Sequence, residues 1–115
     1  LHKGAGTLLV GITDLHGNLD ILASLREPQE LCIDLIESRD TVARACARVS
    51  RGFVEAFDRQ WAMIRARQPL CVTWMPTPHA GPMYVPSSDF WCMISPDDAR
   101  EIVIPSVRTE MARLE

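Results

Sequence analysis

The stretch that decides the reading of the fold is residues 7–25, "TLLVGITDLHGNLDILASL". Residues 7–12 are short, partly β-branched and almost wholly apolar, which suits a strand buried on both faces. They run straight into Asp14, His16, Asn18 and Asp20, polar side chains crowded around Gly17. "LDILASL" then places Leu19, Leu22 and Ala23 on one helical face. Strand, turn and helix in that order predict a βα unit. In α/β proteins, ligands bind at such turns, beyond the carboxyl end of the strand.

Working outward, Pro28 opens a second helix, "PQELCIDLIES", with proline in the first turn, Glu30 at the positive end of the dipole, and a stripe of Leu31, Cys32, Leu35 and Ile36. Asp40 is expected to N-cap a long helix ending near Arg67, because Val42, Cys46, Val49, Phe53, Phe57, Trp61 and Ile64 recur at steps of three and four. Gly52 weakens this helix without breaking it, and Pro69 stops it. "LCVTW" (70–74) reads as a second buried strand. "MPTPHAGPMYVPSS" (75–88) reads as a loop, since four prolines and Gly81 leave no room for regular structure. "DFWCMI" (89–94) reads as a third strand. The remainder reads as a helix with Ser95 as N-cap, Pro96 at the first helical position, Asp97 and Asp98 in the first turn, and a kink or break at Pro105. Helical crossovers between buried apolar strands predict an α/β protein with a largely parallel sheet.

The chain of 115 residues holds one domain at most; hydrophobic residues make up 47% and charged residues 23% of it, as in a folded globular protein. A start at Leu1 and an end inside a helical pattern at Glu115 lead us to expect a fragment of something larger. Net charge is −3, and the basic residues between Arg39 and Arg67 alternate with acidic ones, which gives no electrostatic footprint for nucleic acid. The apolar runs are too short to span a bilayer and no signal peptide is recognisable, so a cytoplasmic protein is expected. Cys32, Cys46, Cys71 and Cys92 are widely spaced among apolar neighbours, and are expected to be reduced and buried.

The candidate catalytic residues are Asp14 and His16, which follow the first strand, and Asp89, which precedes "FWCMIS". Asn18 or Asp20 is available to cap the following helix. Candidate substrate-binding residues are Asn18, His79 and Tyr84, with Trp74 and Trp91 joining Met75 and Met83 in an apolar wall. No zinc-finger, phosphate-loop, dinucleotide or nucleophile-elbow spacing is present. His16, His79 and Cys92 lack any local ligand pattern, so no metal site is expected.

Taken together, "TDLHGNLDILASLRE", "ELCIDLIESRDTV" and "DFWCMISPDDAREIVIPSV" resemble the uroporphyrinogen decarboxylase superfamily, in its decarboxylase-like and corrinoid-methyltransferase-like branch. The matching positions are Asp14, Gly17, Leu25 with Arg26, Asp34 with Leu35, 40–42, and then Asp89, Ser95, Pro96, Asp97 and Pro105. Asn18 stands where that family often has proline, Glu27 where it often has glycine, and Arg39 where proline often precedes the acidic residue. The resemblance implies a (β/α)₈ TIM barrel, of which this chain is a single segment, since about 250 residues are typical. It also implies porphyrin metabolism: either a lyase decarboxylating a tetrapyrrole carboxylate with no cofactor, or a methyltransferase using zinc and a corrinoid. Neither the zinc motif of the latter nor the basic substrate motif of the former falls within this chain. The expected partners are a small-molecule substrate and a second copy of the chain, with the fragment inactive by itself. The alternative is a non-catalytic, self-associating α/β interaction domain.

Overall fold

The computed structural model describes residues 8–112 and 114. Helices α1 (Asn18–Arg26), α2 (Pro28–Glu37) and α3 (Arg39–Arg65) come first, then two short strands, β1 (Leu70–Cys71) and β2 (His79–Ala80). A 3₁₀ helix (Asp89–Met93) follows, and then α4 (Pro96–Asp98), a π turn (Ala99–Val103) and α5 (Ile104–Met111).

This architecture corrects the α/β expectation. Helix accounts for 63% of the structure, and no barrel or β/α repeat is evident among the described residues. The one sheet among the described residues is a two-stranded antiparallel ladder, with Leu70 opposite Ala80 and Cys71 opposite His79. The expected first strand is absent over its described part. Leu8, Leu9 and Val10 are exposed (76%, 46% and 41%), and Thr7 lies outside the described residues. The segment does run beside β1, and Ile12 N–H donates to the Val72 carbonyl at 2.7 Å. The Gln68 side chain, however, takes the place of a ladder: its amide nitrogen donates to the carbonyls of Val10 (2.9 Å) and Leu70 (2.7 Å), and its oxygen accepts from Val10 N–H (2.9 Å). Gln60 accepts from Thr13 N–H in the same way. Two glutamine side chains therefore satisfy backbone groups that a neighbouring strand would otherwise use.

The other two expected strands also differ. Only Leu70 and Cys71 of 70–74 are strand, and Trp74 is exposed. Their partner, β2, lies inside the proline-rich loop, between Pro78 and Pro82. Residues 89–93 wind into a 3₁₀ helix because the Asp20 carboxylate accepts the N–H groups of both Asp89 (2.9 Å) and Phe90 (2.8 Å). Two donors converging on one carboxylate cap a helix start, a geometry an extended strand cannot offer.

The helices follow their stripes more closely. Along α3 the buried positions are Val42, Cys46, Ser50, Phe53, Phe57 and Trp61, so Ser50 occupies the place expected for Val49. Ser38, rather than Asp40, stands at the N-cap, and its carbonyl accepts from Thr41 and Val42. Arg39 ties this end to the last helical run through Asp98 (2.7 Å) and Glu101 (2.6 Å). At 27 residues α3 spans about 40 Å, long enough to carry two separate cores. Its first half packs Val42 and Cys46 against Leu19, Leu31, Leu35, Phe90, Ile102 and Val103. Its second half packs Phe53, Phe57 and Trp61 against Ile12, Cys71 and Tyr84. Ser50, fully buried, marks the join.

Ser95 N-caps α4 as expected, with its Oγ accepting Asp98 N–H at 3.1 Å. Pro105 does not break the chain's course, because the π turn just before it absorbs the missing hydrogen bond and α5 continues to Met111. The four thiols are unpaired: Cys46 and Cys71 are buried, Cys32 is half-buried and Cys92 is exposed, which corrects the expectation that all four lie inside.

Glu27, between α1 and α2, has φ 77° and ψ 136°. Only glycine reaches this backbone conformation without strain. Glu27→Gly is accordingly expected to raise stability by about 1 kcal/mol, read as a higher denaturant midpoint at unchanged slope.

Candidate functional site

The polar turn 13–17 leads into α1, and the start of that helix lies against α5 and the loop before the 3₁₀ helix. α1 has no side-chain cap of its own. Glu110 on α5 does the work instead, its Oε1 accepting Asn18 N–H at 2.8 Å. The same oxygen accepts from Ser50 Oγ at 2.8 Å, while Oε2 lies 3.5 Å from Asn18 Nδ2. Gly17 is the only residue type that fits beside this carboxylate, since a Cβ there would meet Glu110 Oε1 at 2.1 Å. Burial pushes the Glu110 carboxyl above its ordinary value, against the opposing effect of its hydrogen bonds to Ser50 and Asn18.

Asn18 extends this arrangement to the other side of the site. Its Nδ2 donates to the Ser87 carbonyl (3.1 Å), and its Oδ1 accepts from Ser88 Oγ (3.0 Å). With Asp20 holding the amides of Asp89 and Phe90, the turn carrying His16 and the loop carrying Asp89 are joined through buried polar groups. Between them lies an open cleft of about 350 Å³, lined by His16, Asp20, Ser24, Asp89, Phe90 and Met93 among others. His16 Nε2 stands 3.7 Å from Asp14 Oδ2, and both side chains are about half exposed. The structure therefore brings the three candidate catalytic residues to one place: His16 and Asp89 on the cleft, and Asp14 beside His16.

The candidate substrate-binding residues divide. Asn18 is fully buried and holds Ser87, Ser88 and Glu110. His79 and Tyr84 line a second cavity of about 250 Å³ with Pro82, Met83, Met111 and Leu114. The Tyr84 hydroxyl points inward from it: it accepts Leu15 N–H, and its proton is shared between the Leu15 carbonyl (2.8 Å) and Asp14 Oδ1 (3.3 Å). Its ring meets Phe53 and Phe57 edge-on at 5.1 Å and 6.1 Å. Burial, helped by the charges of Asp14 and Glu110, pushes the phenol up to about 12, so at neutral pH it keeps its proton. Trp74 is exposed and donates to the Val85 carbonyl (3.0 Å), while Trp91 is exposed on the 3₁₀ helix. Of the residues expected to form an apolar wall, Met83 lines the second cavity, and Trp74, Met75 and Trp91 are exposed.

Sequence reasoning missed Glu110 and Ser50, and it took Asp20 only as a cap for its own helix. The signal was available. Ser50 lies four residues after Cys46, and Glu110 four after Ser106, so each continues a buried helical stripe that a search for apolar residues passes over.

Among the described residues there is no group of three or more His, Cys, Asp or Glu side chains that could hold a metal ion. Among the same residues no helix is long and apolar enough to cross a membrane. No protein-family model matches the chain, and neither do any curated proteins or solved structures.

Proposed function

We propose that the chain forms part of a uroporphyrinogen decarboxylase-like enzyme acting on a tetrapyrrole carboxylate, with His16, Asp14 and Asp89 facing the substrate. The observation that carries this reading is the convergence of His16 and Asp89 on one cleft, from distant parts of the chain. The position of Glu27 adds support: the backbone there suits glycine, the residue often found in the family at that place. Asn18, with φ 41°, adopts a conformation closed to proline, so that departure from the family pattern carries a local change of backbone.

The chemistry follows from the groups present. In decarboxylation of an acetate arm, a proton first adds to the pyrrole carbon that bears the arm and makes the ring cationic; the bond between the methylene carbon and the carboxylate then breaks, its electron pair moving into the ring as carbon dioxide leaves, and a proton ends on the former methylene carbon as the ring carbon gives up its own. Asp89, on the cleft, can accept a hydrogen bond from the pyrrole N–H and stabilise positive charge developing on the ring, with Asp14 adding its negative charge from beside His16. His16, paired with Asp14, can carry the proton. An open cleft of about 350 Å³ has room for a pyrrole ring.

The test is a titration of the intact protein with uroporphyrin, followed by quenching of Trp91, which is exposed on the same 3₁₀ helix as Asp89. Saturable quenching is expected, with His16→Ala and Asp89→Asn each weakening binding by about tenfold or more. Absence of quenching, or binding by both variants as tight as that of the unaltered chain, would overturn the reading.

A second reading, self-association without catalysis, is favoured by the exposed run Leu8, Leu9 and Val10. A single monomer peak on a sizing column argues against it.

A further inference from the structure

The proposed chemistry makes no use of Glu110, although it is among the most buried side chains of the molecule. It stands where α1, α3 and α5 meet, and its charge reaches the cleft through two routes. One is the Asn18 N–H, which fixes the backbone directly after the turn that carries His16. The other is the Asn18 side chain, held near Glu110 Oε2 and in turn bonded to Ser87 and Ser88, next to Asp89. We propose that Glu110 is a positioning residue whose protonation state sets the relative placement of the His16 and Asp89 walls of the cleft. This rests on the cleft being the functional site.

The hydrogen-bond pattern gives the two states different geometries. All three groups that contact the carboxylate act as donors, which matches an ionised acid. The two Asn18 groups can only donate, so of these three partners the Ser50 hydroxyl alone can reverse and accept the proton that Glu110 takes up from solvent. Glu110 then goes from −1 to neutral, Ser50 no longer donates to it, and the bond to Asn18 N–H ceases to be charge-assisted. The titratable groups that face Glu110 are Asp20 on α1, Cys46 on α3 and Tyr84 from the loop. None of them is a cation, so the hydrogen bonds from Ser50 and Asn18 are what offsets the cost of burying the charge among the described residues.

The linked effect on stability has a definite sign. The folded value lies above the ordinary 4.5, so the folded chain binds this proton more tightly than the unfolded one. The stability this group contributes is full below 4.5 and is lost as pH rises through the folded value. Asp34, held down by its hydrogen bond to Arg26, acts in the opposite direction. So does Asp98, where burial is outweighed by Ser95 and Arg39. Both contributions are present above 3.8 and fade as pH falls below it. Loosening of the cleft by Glu110 protonation is therefore distinct from acid unfolding.

The experiment follows the amide NMR signals of Asn18, Ser88 and Asp89 in the full chain between about pH 4 and 8, without ligand. The three signals are expected to move together with one midpoint above 4.5, and this shared transition should vanish in Glu110→Gln. Ser50→Ala, which deletes a donor to the ionised form, should raise the midpoint by roughly half a pH unit or more. A shared transition that persists in Glu110→Gln, no transition in the wild type, or an unmoved midpoint in Ser50→Ala would overturn the proposal. If Glu110→Gln does not fold, the Ser50→Ala midpoint decides alone. Because no ligand is present, these outcomes stand apart from the uroporphyrin titration, whose failure would fault only the ligand reading.

Discussion

Replacing Gly17 with alanine is expected to cost about 3 kcal/mol, the largest loss anticipated for so small a change in this chain. Gly17 has φ −123°, which any residue can adopt, so backbone strain is not the cause. The cause is contact. The added Cβ would fall 2.1 Å from Glu110 Oε1 and 2.5 Å from its Cδ. Neither partner can move cheaply: Glu110 is fully buried and bonded to Ser50 and Asn18, and Gly17 directly precedes α1. Relief requires α1 and α5 to separate or the carboxylate to abandon its donors, and each route leaves buried polar groups unsatisfied. Urea unfolding of Gly17→Ala, alone and combined with Glu110→Ala, measures the effect. In the shortened background the alanine has room, so most of its cost should disappear, giving a coupling of about 2 kcal/mol or more.

Tyr84→Phe is expected to cost about 2 kcal/mol, although it removes a single oxygen. The ring stays wedged against Phe53 and Phe57, so the packing of the second core is preserved and the loss belongs to the hydroxyl. That hydroxyl is bonded to both the N–H and the carbonyl of Leu15 and is shared with Asp14. Without it, two backbone groups in a half-buried turn lose their partner. The unfolding midpoint should fall, and the His16 imidazole signal should shift, because the Asp14 carboxylate beside it is no longer held. An unchanged midpoint would mean that the turn does not depend on Tyr84.

These residues also show what the sequence discloses and what it conceals. The helices were legible because their apolar positions recur at fixed steps: Val42, Cys46, Phe53, Phe57 and Trp61 are buried on α3, as the spacing requires. The cap at Ser95 was legible because it depends on neighbours only a few residues away. Of the three expected strands, only Leu70 and Cys71 of the second are found as strand. Short apolar runs such as 8–12 and 89–94 are compatible with several backbones, and partners far along the chain decide among them. Gln68 takes up the backbone groups of Val10, and Asp20 winds Asp89 and Phe90 into a helix. The candidate site divides in the same way. Asp14, His16 and Asp89 stood out as polar residues beside apolar runs, whereas Glu110 and Ser50 lie on helical stripes and matter only once α1, α3 and α5 have met.

That meeting point can be examined directly by amide hydrogen exchange at Asn18, Asp89 and Phe90. All three N–H groups sit at helix starts, where no carbonyl of the same helix can accept them, so any protection must come from elsewhere. If Glu110 and Asp20 hold them as described, exchange should be slowed about a hundredfold or more relative to an unstructured chain. Exchange of these amides at unprotected rates, while the interiors of α1 and α3 remain protected, would contradict the buried-carboxylate framework on which the cleft depends.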